Sequence, residues 1–212
     1  MPKKVDHEQR RRHIVEALLR IAGARGLDAV SLREVAQEAG VSMGAVQHYF
    51  TSKDEMLLYA MRHWLTLGVH QRFTARVRQR LGGLDADARD VLCAFVAEYL
   101  PHDDESRADT KVALAFVSRA ADQPAVVEAV RPALTGLVET LRGVLASAEP
   151  AERQVDKTAE AHRLVALVDG LRLHVLAGSI PYEDALALAC RHIDQIILPS
   201  APTAGRPPRP LP

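Results

Sequence analysis

The 212-residue sequence predicts an all-α fold, arranged as a three-helix N-terminal unit followed by a larger helical one, and three observations carry that prediction. Ala, Leu, Val and Arg are plentiful while aromatic residues make up only 4% of the chain, a composition of good helix formers. Apolar residues recur at helical spacing, and no stretch alternates with period two for long enough to suggest a sheet. Successive helix starts also carry their own capping residues, so the boundaries are written into the sequence.

The first helix is read from about His7 to Arg25, with Ile14, Ala17, Leu18, Ile21 and Ala22 on one stripe and Gly26 where a C-terminal cap belongs. Ser31 opens the second: Ser31 and Glu34 have capping-box spacing, with Val30 and Val35 as a hydrophobic staple. That helix stops at Gly40, a residue able to take the left-handed conformation that a sharp reversal needs. Ser42 caps a short third helix, stapled by Val41 and Val46, and Ser52 with Glu55 opens a long fourth helix running toward Leu81. The pair Gly82-Gly83 is the strongest break. Helices are then expected over about Ala86–Leu100, Ser106–Ala121, Ala125–Ala148, Arg153–Ala177 and Tyr182–Leu198, separated by Pro101, Pro124, Pro150, Gly178 and Pro181. The tail "PSAPTAGRPPRPLP" reads as disordered.

The net charge of +0 hides an asymmetry. Eight bases against four acids lie between Met1 and Arg33, whereas eight acids against Arg89 and Arg107 lie between Asp85 and Asp109. One end therefore suits a polyanion and the other does not. No apolar run approaches the roughly 18 residues of a membrane span, and "MPKKVDHEQRRRH" does not resemble a signal peptide. Cys93 and Cys190 sit far apart inside apolar patterns and are read as reduced core thiols, which with the preceding features points to a cytoplasmic protein.

The short third helix carries the functional reading. Two helices joined by so tight a turn cross steeply, and Ala36, Gly40 and Val46 supply the small residue, turn glycine and buried aliphatic of a helix-turn-helix. Its seven positions span roughly 10 Å, a length that fits a major groove about 12 Å wide. Ser42 caps the helix and its hydroxyl is placed to meet a phosphate; Met43, Gly44 and Ala45 form the first turn, aimed at base edges in this docking mode. Gln47 is the candidate for direct readout, because its amide pairs bidentately with adenine. His48, Tyr49 and Lys53 suit phosphates, as do Ser31 and Arg33. The basic arm, with Lys3, Lys4, Arg10, Arg11 and Arg12, suits phosphates or the minor groove.

The stretch "SLREVAQEAGVSMGAVQHYFTSKDEML", preceded by "RRRHIVEALLRIAGARGLDAV", resembles the TetR (tetracycline repressor-like) family of bacterial transcription regulators over roughly residues 7 to 60. Met43 stands where such proteins typically have a basic residue nearby. The resemblance implies a DNA-binding domain over residues 1–51, a ligand-binding and dimerisation domain over 52–199 and a tail over 200–212. It implies a homodimer on a palindromic double-stranded operator, released by a small-molecule effector. The alternative is an architectural or activating DNA-binding protein of the same fold without an inducer. The dimer interface implied is a four-helix bundle using the stripes Leu164, Leu167, Val168, Leu171 and Val175, and Leu186, Ala189, Cys190, Ile193, Ile196 and Ile197; in a lone domain these would be core stripes. Trp64, Phe73, Phe95, Tyr99 and Phe116 are the large side chains available to line an effector cavity, although for any one of them plain core packing is the readier explanation. Asp169 either meets a ligand amine or pairs with Arg172 or His162. The run "HDDE" at His102–Glu105 reads as a solvated loop or capping run rather than a metal site, and neither a nucleophile motif nor a phosphate-binding glycine loop appears. An enzyme is not expected, and no cofactor is assigned.

Overall fold

The computed structural model describes residues 7–65, 69–83, 85–120, 123–148 and 156–197. Lys3, Lys4 and the Pro-rich tail lie outside the described residues. Among those described, ten α-helices and one 3-10 turn account for the secondary structure: α1 (His7–Arg25), a 3-10 turn (Leu27–Ala29), α2 (Leu32–Glu38), α3 (Met43–Tyr49), α4 (Lys53–His63), α5 (Val69–Leu81), α6 (Ala88–Tyr99), α7 (Asp104–Ala120), α8 (Pro124–Ser147), α9 (Lys157–Leu176) and α10 (Tyr182–Ile197).

The serine caps form as their spacing implies. Ser31 Oγ accepts from Glu34 N, Ser42 Oγ from Ala45 N and Ser52 Oγ from Glu55 N, each at 3.1 Å. The reciprocal halves of the two boxes are diverted. The Glu34 carboxylate accepts from Arg25 Nη2 at 2.7 Å, tying α2 to the end of α1. Glu55 accepts from both the amide and hydroxyl of Thr51 at 2.7 Å, one residue before the cap. At the α2–α3 turn Gly40 has φ 64°, Val41 N donates to Ala36 O at 3.0 Å and Gly40 N to Gln37 O at 3.2 Å. This left-handed C-terminal cap reverses the chain in two residues.

The fourth helix differs from expectation. It ends at His63, with Trp64 and Leu65 in a wider π-type turn, and α5 begins separately at Val69. Trp64 is fixed in the core, its Nε1 donating to Asp109 Oδ1 at 3.3 Å. Beyond it α5 turns its arginines to the acids of α6 and α7. Arg76 and Arg80 donate to opposite oxygens of Glu98 at 3.1 and 2.7 Å, and Arg72 pairs with Glu105 and Asp109 at 2.9 and 3.0 Å. Glu98 is only 6% exposed, so both charges on it are needed to offset desolvation of the carboxylate. The acidic segment thus answers basic residues of its own chain.

Two apolar clusters hold the molecule. The first joins Ile14, Leu18 and Ile21 of α1 to Val35, Val46, Phe50 and Met56, with Trp64, and with Val112 and Phe116 of α7. The second joins α6, α9 and α10 through Leu92, Val96, Leu164, Val168, Ala189 and Ile193. Helix α8 serves both, giving Val126 and Val130 to the first and Val138, Leu141 and Leu145 to the second; 24 residues make a rod of about 36 Å. Its beginning at Pro124 uses proline where no helical amide is required. α1 and α7 approach closely at Gly23, where a Cβ would stand 3.0 Å from that of Ala108.

Candidate nucleic-acid interface and effector site

α3 presents two faces. Val46 and the following Phe50 are fully buried, which fixes the helix against α1 and α4. The opposite face carries Met43, at 45% exposure, with Gly44, Gln47 and His48 also exposed and Ala45 and Tyr49 half-buried. Ser42 is exposed; its oxygen accepts from Ala45 N, which leaves the hydroxyl proton to donate outward. Ser31 is in the same condition at the start of α2, half-buried, with Arg33 exposed two residues on. Lys53, half-buried, is the first residue of α4, a position where the helix dipole disfavours a cation that has no anionic partner.

The packing around Gly44 is open. A Cβ there would meet only Ser42 Oγ, at 3.9 Å. Glycine within a helix costs roughly 0.5–1 kcal/mol relative to alanine, and nothing inside the chain demands it at this position.

His48 and Tyr49 lie against the start of α1, their rings 6.1 and 5.8 Å from His7 and 5.1 Å from each other. Arg11 behaves differently from the other residues assigned to the arm. Its guanidinium stacks over Tyr59 at 4.3 Å and Phe50 at 5.1 Å and lies 3.8 Å from Glu55. It therefore clamps α1 onto α4, a role that sequence spacing does not reveal. Arg10 and Arg12 remain exposed beside it. The burial of Tyr59 pushes its hydroxyl pKa up, reinforced by its hydrogen bond to Glu8 at 2.8 Å.

The six residues assigned to an effector cavity separate into two groups. Trp64 and Phe116, with centroids 6.2 Å apart, belong to the first apolar cluster. Phe116 borders a crevice of only about 10 Å³ between α4, α7 and α8. Phe73, Phe95 and Tyr99 form a trio beside the second cluster, Phe95 stacked on Tyr99 at 5.2 Å and Phe73 edge-on to Phe95 at 5.2 Å. Tyr99 donates its hydroxyl to Asp169 at 2.9 Å, and Arg172 lies over the Tyr99 ring at 4.1 Å with its Nη1 3.4 Å from Asp169. Burial pushes the Tyr99 hydroxyl up to about 12. Asp169 thus has Arg172 as the ion-pair partner that the sequence offered.

The stripes assigned to the dimer interface point inward. Leu164, Val168, Leu171, Val175, Ala189, Ile193 and Ile196 are buried in the second core, and Leu167, Leu186 and Ile197 pack partly against it. The amphipathic faces of α9 and α10 are consumed by α6 and α8 of the same chain. The outward positions include His162, Ala166 and Leu173 on α9 and Asp184, Leu188 and Arg191 on α10, with Leu173 and Leu188 at 51% and 41% exposure. Beside them Ser179, Ile180 and Pro181 help line an open depression of about 390 Å³.

The His102–Glu105 run caps α7. Ser106 N donates to Asp103 Oδ1 at 2.7 Å, and the amides of His102 and Asp103 both donate to Ser106 Oγ at 2.9 Å. That bonding, the Ser106 contacts foremost, holds the Asp103 carboxyl below its ordinary pKa.

Comparison with known proteins agrees with this geometry. Residues 14–60 match the model of the bacterial regulatory proteins of the tetR family, and residues 88–198 that of the C-terminal part of BetI-type transcriptional repressors. The chain is 34% identical over 180 residues to the regulator PksA of Bacillus subtilis (strain 168), covering 85% of each. It is 35% identical over 201 residues to the regulator BetI of Burkholderia mallei (strain NCTC 10229), covering 94% of this chain and 99% of that one. A transcriptional regulator from Rhodococcus sp. Rha1 superposes with TM-score 0.73 at 32% identity, covering 88% of this chain and 95% of that one. One from Saccharomonospora viridis, in complex with choline, does so with TM-score 0.73 at 26% identity, covering 90% and 96%.

Proposed function

The chain belongs to the TetR family of bacterial regulatory proteins, with a C-terminal domain of the BetI type, and on that premise we propose that it is a homodimeric repressor that binds a palindromic operator and is released by a small organic effector. It is a transcriptional regulator and not an enzyme. Residues 1–51 act as the DNA-binding unit and residues 52–199 as the effector and pairing unit, the protein working in the cytoplasm where its DNA lies. The observation that carries the reading is α3 itself: a seven-residue helix, buried on one side through Val46 and Phe50, whose outer face bears Met43, Gly44, Gln47 and His48.

In this reading Gln47 reads a base, while Ser31, Arg33, Ser42, His48, Tyr49 and Lys53 hold phosphates. Gly44 lets the backbone approach the groove. Footprinting at modest ionic strength is expected to protect a palindrome; its absence counts against the proposal. Gln47→Ala should cost roughly 1–3 kcal/mol and relax preference at one position. Lys53→Ala should weaken all sequences alike and lower the salt slope by about one. If the two variants behave identically in a salt titration, Gln47 does not read a base.

Gly44→Ala separates fold from function. Because the added Cβ meets nothing closer than 3.9 Å, the variant should be more stable by about 0.5–1 kcal/mol while binding the operator less tightly. Thermal melting and a gel-shift titration measure the two. Unchanged DNA affinity would remove the argument from this glycine.

For the effector, Phe73, Phe95 and Tyr99 beside Asp169 favour an organic cation, which aromatic faces and a carboxylate attract. The choline bound by the Saccharomonospora relative is of that chemistry. Arg172 already rests on Tyr99, so such a ligand must displace it. Displacement would reach DNA through α7: Arg172 Nη2 donates to Thr110 at 3.3 Å, Ala108 abuts Gly23 of α1, and Arg119 pairs with Asp54 of α4 at 2.8 Å. A coupling of about 1–3 kcal/mol along this route changes occupancy 5- to 150-fold.

A further inference from the structure

The two cysteines are 97 positions apart in sequence, yet the antiparallel packing of α6 and α10 makes them neighbours. Three rungs set that register. Arg89 donates to both oxygens of Asp194 at 2.5 and 3.2 Å. Four residues along each helix, Cys93 and Cys190 stand opposite one another. Further on, the Tyr182 hydroxyl donates to Ala97 O at 3.1 Å. Both thiols are free, as the reading of reduced thiols expects, and half-buried at the core margin rather than sealed within it. The Cys190 thiol is brought down to about 7, chiefly by the Cys93 hydrogen bond and further by the Arg89 charge, against the opposing effects of burial and Asp194. The Cys93 thiol is pushed up, because its hydrogen is held at Cys190 and because it is desolvated. Cys190 is thus the readier nucleophile of the two and Cys93 the thiol that keeps its proton longer.

We infer that Cys93 and Cys190 form a peroxide-oxidisable dithiol that closes to an intrachain disulfide between α6 and α10. The Cys190 thiolate attacks one oxygen of hydrogen peroxide, breaking the O–O bond; hydroxide leaves and takes a proton to become water, and Cys190 becomes a sulfenic acid. The Cys93 sulfur then attacks the sulfenic sulfur, its thiol hydrogen leaving with the displaced hydroxyl as a second water. Two thiols and one peroxide yield one disulfide and two waters, both electrons coming from the sulfur pair. Helix register, set by the Arg89–Asp194 and Tyr182–Ala97 bonds, places the two cysteines opposite each other, and closure draws the sulfurs to a bond of about 2.05 Å. Outside the cysteine pair, α6 carries Phe95 and Tyr99, and α10 carries Leu188 and Arg191. The bond therefore joins the effector site to the outward face of α10, a consequence that rests on the function proposed above.

The test treats the reduced full-length protein with one equivalent of hydrogen peroxide, then iodoacetamide, and reads intact mass and peptide maps. The expected result is a 2 Da loss within one chain, by the stoichiometry above, with alkylated thiols falling from two to none and reversal by dithiothreitol. Cys93→Ser is expected to stop at an oxidised Cys190 adduct and Cys190→Ser to react more slowly, both with unchanged circular dichroism. Two thiols still alkylated after treatment, or a link between separate chains, overturns the site. Operator affinity measured on the same samples should change several-fold on oxidation of the wild type and not of Cys93→Ser. A disulfide without that change overturns the regulatory consequence alone, and no operator binding by either form points instead to failure of the proposed function.

Discussion

Replacing Leu173 and Leu188 together by glutamate is expected to yield a folded single chain whose operator affinity falls about 10²–10⁴-fold, the advantage lost when two linked binding units separate. Both side chains project from the outer faces of α9 and α10 and contribute little to the chain's own core, at 51% and 41% exposure. Surface changes of this kind usually alter stability by less than about 0.5 kcal/mol. In a twofold pairing each would meet its symmetry mate or a near neighbour, so a subunit's two new carboxylates would be buried opposite two more. The flanking Asp184 would add to that repulsion, and Arg191 would partly relieve it. Light scattering gives the mass and fluorescence anisotropy the affinity. A surviving dimer would place the contact elsewhere; a monomer with undiminished affinity would refute the paired recognition helices.

The choice of those two residues marks where sequence stops being legible. Periodicity finds the stripes Leu164–Val175 and Leu186–Ile197, because i, i+3 and i+4 residues share a face whatever they pack against. It does not tell a core face from an interface, since both are apolar. Here α6 and α8 cover the stripes, and the surface left for a partner is made of isolated leucines among small and charged residues. Caps are legible for the opposite reason. Ser31, Ser42 and Ser52 bond amides three residues away, so the interaction lies wholly within the motif that announces it.

Failures have long-range causes. The fourth helix looks continuous from Ser52 toward Leu81, yet its end depends on Trp64 meeting Asp109 and on α5 arginines meeting Glu98, Glu105 and Asp109. Arg11 reads as one more base in a cationic arm until the fold sets two aromatic rings beneath it. Cys93 and Cys190 carry no local signal of adjacency at all. Within the candidate DNA face, by contrast, exposure of Met43, Gly44, Gln47 and His48 follows directly from the burial of Val46 and the helical repeat.

Phe50→Ala is expected to lower stability by about 3–5 kcal/mol, or a melting temperature drop on the order of 10 °C for a chain of this size. Phe50 is the largest fully buried side chain of the first core and immediately follows α3. Its ring meets Tyr59 edge-on at 5.6 Å and supports the Arg11 guanidinium at 5.1 Å. Truncation leaves a cavity bounded by α1 and α4, and Arg11, whose buried Nε has no hydrogen-bond partner, loses one of the two rings that accommodate its charge. Two effects then act in the same direction: lost burial, and a guanidinium less well compensated. Tyr59→Phe isolates the smaller contribution, since it keeps the ring under Arg11 and removes only the hydroxyl bond to Glu8; a loss of about 1 kcal/mol or less is expected for that exposed hydrogen bond. Calorimetry on both variants decides the matter. If Phe50→Ala melts within a degree or two of the parent, the α1–α4 clamp does not hold α3 in place, and the geometry proposed for its outer face loses its support.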